Sequence, residues 1–352
     1  MAIISAVLRA VLLLAVVAVR ACPRLNEEPP FESLRHQARV NVSHPEVQKR
    51  YLSITGLSPQ NRLWYKASIM YCYDTDTNAR AIIEPFMADA WNLWIMAGLP
   101  QGTLTDPNGF AFVEATAAWC GDTSKKFLLI TANQNMQAFT TPGWRAPSSR
   151  STLSFDPNMG GGVRQKTLAI LAHEIGHAWG MLHEHQRPSA WSSNDAFGGT
   201  ASPLAAQVTF NCENLADYQA TVAAGGVPTL FCKNRAAAQS LGSSAANFLP
   251  WQTFFETGYR TTQEGRNFDW SSIMLYDSRT GSKAGGGNVL VTGLLKLSIA
   301  ETLVPSPADV SALQLLYGVV QARPLPCFYW QSCSPFNAFF HALLPQVCSG
   351  SF

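Results

Sequence analysis

The sequence predicts a fold of mixed strands and helices. Three observations carry that prediction. Runs rich in aromatic and β-branched residues recur between Leu63 and Phe155, and two longer stretches carry apolar residues at three- and four-residue spacing. In addition, 47 % of the 352 residues are hydrophobic, ample for a packed core.

Along the chain, Ile3 to Val19 is an apolar run ending at Val19-Arg20-Ala21, a small-residue cleavage site. Residues 1–21 therefore read as a secretory signal peptide. The other reading is a short membrane anchor, which Arg9 interrupts; no later stretch approaches the roughly 20 apolar residues that a membrane-spanning helix needs. Residues 22–60 are polar and broken by Pro23, Pro29, Pro30, Pro45 and Pro59. They carry the sequon Asn41-Val42-Ser43 and the dibasic pair Lys49-Arg50, and read as a propeptide or a plain N-terminal extension.

Leu63 to Tyr73 predicts a first strand. Ile82, Ile83, Phe86, Met87, Ala90, Trp91, Trp94 and Ile95 form a helical core stripe, in which Pro85 implies a late start or a kink. Phe110–Val113, Phe127–Ile130 and Ser151–Phe155 predict three more strands. Gly160-Gly161-Gly162 gives a flexible connection into a helix over 163–179, whose buried side is Leu168, Leu171, Ala172, Ile175 and Ala178. A long stretch rich in Ala, Gly, Ser and Asn follows, with an insertion around Cys212 to Ala246 that reads equally as a cleft wall or a neutral surface excursion. Ser306-Pro307-Ala308-Asp309 is a capping box opening a helix with Val310, Leu313, Leu316 and Tyr317 on its apolar side and Gly318 at its end. Residues 324–352 form a cysteine- and aromatic-rich tail.

Eight cysteines, an even count behind a signal peptide, imply disulfides rather than a metal knuckle, since none forms a C-x-x-C pair. Cys212 and Cys232 are expected to staple the insertion, and two of Cys327, Cys333 and Cys348 to pair, with Cys22, at the cleavage point, left over or lost. Charged residues are only 14 % of the chain. Without Arg9 and Arg20 the mature part is balanced, so charge gives no reason to invoke nucleic acid or an anionic membrane.

The chemistry is concentrated in His173-Glu174-Ile175-Gly176-His177-Ala178-Trp179-Gly180-Met181-Leu182-His183. Residues four apart share a helix face, so His173 and His177 aim at one point and Glu174 projects from the same turn. Gly180 can adopt the positive φ that ends a helix, and His183 returns as a third ligand. Three nitrogens leave one position of a tetrahedral zinc open, the pattern of a catalytic ion.

Two further blocks, Glu184-His185-Gln186-Arg187 and Asp269-Trp270-Ser271-Ser272-Ile273-Met274-Leu275-Tyr276, resemble the astacin family of metzincin zinc peptidases. The glutamate after the third histidine is similar to astacins, where adamalysins carry aspartate and matrixins serine. Leu275 stands where astacins usually have histidine, and Pro188-Ser189-Ala190 where an acidic residue is common. The resemblance implies an α+β catalytic domain over residues 61–323: a twisted, mostly parallel sheet with the zinc helix above a cleft, and a smaller C-terminal subdomain carrying the Met-turn. It makes Ser151–Phe155 the sheet edge that binds substrate, Met274 an apolar support, and Tyr276 a removable ligand and oxyanion donor. His185 is placed behind the ligands or at the surface. The implied function is a secreted, monomeric endopeptidase with one catalytic Zn2+ on His173, His177 and His183. Glu174 and Tyr276 would be catalytic, protein or peptide the substrate, and nucleic acid and membrane absent as partners. Other readings are another metzincin-type protease or a non-catalytic secreted binding protein, against which the intact Glu174 argues.

Overall fold

A five-stranded sheet runs through the larger core of the molecule. A computed structural model describes residues 61–106, 108–145, 150–191, 207–251, 268–293 and 295–319, all within the unit Pro45–Ala322. The expected signal peptide, the 22–60 segment with Cys22 and Lys49-Arg50, and the tail with Cys327, Cys333 and Cys348 lie outside the described residues. Among those described, no helix is long and apolar enough to cross a membrane.

The strands are β1 (Asn61–Arg62), β2 (Ser68–Tyr73), β3 (Ala111–Glu114), β4 (Leu128–Ala132), β5 (Ala138–Thr140), β6 (Trp144–Arg145), β7 (Ser151–Phe155), β8 (Val208–Phe210) and β9 (Leu290–Thr292). The helices are α1 (Ala79–Met96), α2 (Ala117–Gly121), α3 (Arg164–Ala178), α4 (Tyr218–Ala223), α5 (Pro228–Phe231), α6 (Arg235–Ser240) and α7 (Pro307–Tyr317). The sheet order is β3-β2-β4-β7-β5, parallel except for β5. With helices packed on this mostly parallel sheet the class is α+β, as expected.

Three expectations need correction. The predicted first strand is broken: Lys66 and Ala67 take positive φ in a short 3-10 turn, so the paired strand begins only at Ser68. Helix α1 starts well before Pro85 and runs through it. Ala81 and Pro85 both lie on its exposed face, so the carbonyl that proline leaves unbonded is not held in the core. Finally, Ser151–Phe155 is not the sheet edge. It is an interior strand, paired with β4 on one side and with antiparallel β5 on the other, and β5 is the edge. Three residues are too few for alternation to reveal such a strand in sequence.

Among the described residues two large hydrophobic cores form, beside a small cluster of Cys72, Ala115 and Phe127. The larger joins the sheet, α1, α3 and α7, with Phe110, Trp179 and Tyr317 meeting edge-to-face at 5.1–5.4 Å. The smaller gathers Trp191, Phe231, Phe248 and Leu249 around the insertion, which Cys212–Cys232 staples as expected. A second disulfide, Cys72–Cys120, ties β2 to α2. The turn at Ile273–Leu275, expected as a Met-turn, bridges both cores: Ile273 and Met274 belong to the first, Leu275 to the second.

Candidate metal centre and active site

Helix α3 supplies two of the three imidazoles, and its end is firmly anchored. The Ala178 carbonyl accepts the Trp64 indole N–H at 2.8 Å, and the Trp179 carbonyl accepts the Tyr317 hydroxyl at 2.9 Å. Such partners satisfy the terminal carbonyls that every helix leaves open. Gly180 has φ 99°, a conformation strained for any residue with a Cβ, and this reverses the chain so that His183 faces the helix. Gly161 and Gly162, also at positive φ, form an ordered turn into α3 after a 3-10 turn over Pro157–Gly160.

His173, His177 and His183 converge. Nε2 of His177 lies 3.0 Å from Nε2 of His183, which lies 3.2 Å from Nε2 of His173. Each Nδ1 meets an oxygen: the Ile273 carbonyl at 2.7 Å from His173, the Met181 carbonyl at 2.8 Å from His177, and Gln186 Oε1 at 3.1 Å from His183. Carbonyl oxygens only accept, so these Nδ1 atoms carry the protons and the Nε2 lone pairs are left facing one another. Facing lone pairs repel unless a cation lies among them. Nitrogens bound at about 2.0–2.1 Å around a tetrahedral zinc sit about 3.3 Å apart, so the donor set fits zinc. Burial also lowers the imidazole pKa values, to about 4 for His173 and about 3 for His177, and holds His183 well below its ordinary value, which keeps the ligands neutral.

Glu174 is buried beside this trio, with Oε2 finding no hydrogen-bond partner among the described residues. Burial pushes its carboxyl up to about 8, opposed by the neighbouring Thr140 hydroxyl on edge strand β5, which falls short of hydrogen-bond geometry. Tyr276 packs its ring 4.3 Å from that of His183 and 6.0 Å from that of His173; burial and then Glu174 raise its hydroxyl pKa. Met274 lies under the centre. A Cβ placed on Gly176, between the two helical ligands, would stand 2.6 Å from Met274 Sδ, so only glycine admits the sulfur there.

Several supporting residues were not legible as such. Glu184 accepts from Arg187 and from the Asp269 N–H at 3.0 Å, while its own N–H donates to the Met274 carbonyl at 2.9 Å, joining the third ligand to the Met-turn. Asp309, the capping-box residue, also accepts from Ser272 Oγ at 2.6 Å and the Ile273 N–H at 2.8 Å. Position in sequence gave no sign of this second duty. His185 is fully buried, not at the surface, its ring tilted against that of Tyr276 at 4.7 Å and its Nε2 donating to the Asn247 carbonyl at 3.0 Å.

No protein-family model and no curated protein matches the chain. Among solved structures it is similar to high choriolytic enzyme 1, a hatching enzyme zinc-protease from Oryzias latipes (medaka fish). That match has 20 % identity and TM-score 0.43 and covers 76 % of this chain and 99 % of the other. Two structures of myroilysin are also similar, at 16 % and 15 % identity and TM-scores of 0.40 and 0.38. They cover 78 % and 84 % of this chain, and 100 % and 99 % of theirs.

Proposed function

We propose that this chain is a zinc-dependent endopeptidase of the astacin type. The observation that carries this reading is the trio of imidazoles, each with its proton turned outward onto an oxygen, next to a buried carboxyl that lacks a partner among the described residues. His173, His177 and His183 would hold the ion. Zinc, when bound, supplies a Lewis acid and a water that is acidic near neutral pH. Glu174 would take the proton of the attacking water and hand it to the departing amine, a task suited to a carboxyl whose basicity burial has raised. Tyr276 would donate a hydrogen bond to the carbonyl oxygen as charge develops there. An extended substrate would add to the free side of β5, whose Thr140 neighbours Glu174, through main-chain hydrogen bonds.

Secretion through residues 1–21 belongs to the same reading, supported by two disulfides suited to an oxidising compartment. Residues 22–60 would be a propeptide, with a mature start at or beyond Tyr51; N-terminal sequencing of the secreted protein giving Cys22 on an active enzyme would remove that part. For the function itself, purified protein should hold about one zinc per chain and lose peptide cleavage to a zinc chelator. Cleavage untouched by chelation would sink the metallopeptidase reading. Zinc binding without any cleavage across a peptide library would favour the non-catalytic binding protein instead.

A further inference from the structure

Gln186 lies three residues beyond the third imidazole, fully enclosed, and its amide is used at both ends. Its Oε1 stands 3.1 Å from Trp251 Nε1 and 3.1 Å from His183 Nδ1. Its Nε2 stands 3.3 Å from the carbonyl oxygens of Ala246 and Leu249. These partners settle which end is which. An indole N–H only donates and a main-chain carbonyl only accepts, so Oε1 must face Trp251 and Nε2 must face the carbonyls. Oε1 in turn only accepts, so His183 Nδ1 must be the donor. That leaves Nε2 as the sole nitrogen that His183 offers to a metal.

The clamp is built from the end of the inserted segment and the residues just after it. Arg235 on α6 donates to the same two carbonyls, and its guanidinium lies 3.8 Å over the Trp251 ring. His185 donates to the Asn247 carbonyl between them. The other two imidazoles take their orienting oxygens from the main chain, so the third is the one whose support depends on a side chain.

We propose that Gln186 is a positioning residue for the metal centre, locked by the stapled insertion so that His183 binds through Nε2. The insertion is then part of the frame of the site rather than a neutral excursion. The proposal rests on the zinc reading above. Two measurements on the full chain test it. Zinc affinity, read by competition with a chromophoric chelator, should fall about 10- to 100-fold in Gln186→Met. In the zinc-loaded wild type, NMR of ¹⁵N-labelled histidines should show His183 protonated at Nδ1, with the downfield proton of a hydrogen bond. Gln186→Met holding zinc as tightly as wild type would overturn the proposal, as would His183 bound through Nδ1. If Gln186→Met does not fold, the wild-type spectrum decides alone. A wild-type chain that takes up no zinc defeats the metal reading and this one together, whereas normal zinc uptake with either contrary result defeats only this one.

Discussion

Burial makes Glu174 costly to keep charged. Its carboxyl sits at about 8 in the fold against an ordinary 4.5. Between those values the folded chain holds a proton on Glu174 that the unfolded chain has released, so this carboxyl's contribution to metal-free stability falls as pH rises through that window. Glu174→Gln removes that contribution. The chelated variant should exceed wild type by about 3 kcal/mol at pH 7 and match it below about pH 4.5, in urea unfolding at both pH values. A difference flat with pH would mean that the fold does not hold the proton there. With zinc present the same substitution should retain the metal and lose cleavage by orders of magnitude, because the proton carrier is gone. Tyr276→Phe tests the other partner. If the hydroxyl acts mainly in the transition state, kcat should fall about 10²- to 10³-fold with zinc content near normal. Full kcat would reduce Tyr276 to a packing residue.

Among elements, the Met-turn is the one whose position is most heavily determined. Asp309 caps α7 and at the same time receives Ser272 and the Ile273 N–H, while the Ile273 carbonyl orients His173. One carboxylate therefore couples a helix terminus to one of the three convergent imidazoles. Asp309→Ala would strand these buried donors and should cost about 2–4 kcal/mol, measured by urea unfolding. Asp309→Asn, which can still accept from the main chain, should cost less than half of that. Equal losses would point to the negative charge itself. The capping box was readable because its spacing is local. The contact across 36 residues to Ile273 has no local signature and needed the fold. The same contrast separates the helices from the edge strand. Helix α3 spans enough turns for its stripe to show, whereas β5 is recognisable only by what it pairs with.

For the molecule as a whole, the stretch that brings the three imidazoles together and the class of fold were legible because both rest on short-range spacing. The second core was not, being built from Ala- and Ser-rich sequence whose few large residues, such as Phe231 and Phe248, are far apart in the chain. Its staple was foreseen, and its consequence follows from loop entropy. Opening a 20-residue loop by replacing Cys212 and Cys232 with serine should lower stability by about 3 kcal/mol. Because this core frames Gln186, zinc should also bind less tightly in that variant. A stability loss with unchanged zinc affinity would show the two cores to be independent.

The anchoring of α3 sets a limit on how far the amino terminus can be cut back. Trp64 reaches the Ala178 carbonyl, and β1 just before it pairs with β6 and places Arg62 over Trp144. A cut after Arg50 spares all of this. A cut after Lys66 would strip the indole from the last turn of the helix that presents His173 and His177. On the proposed function, over-digestion by a basic-specific protease would therefore disarm the site, and the margin between the proposed maturation cut and that loss would be sixteen residues, from Arg50 to Lys66.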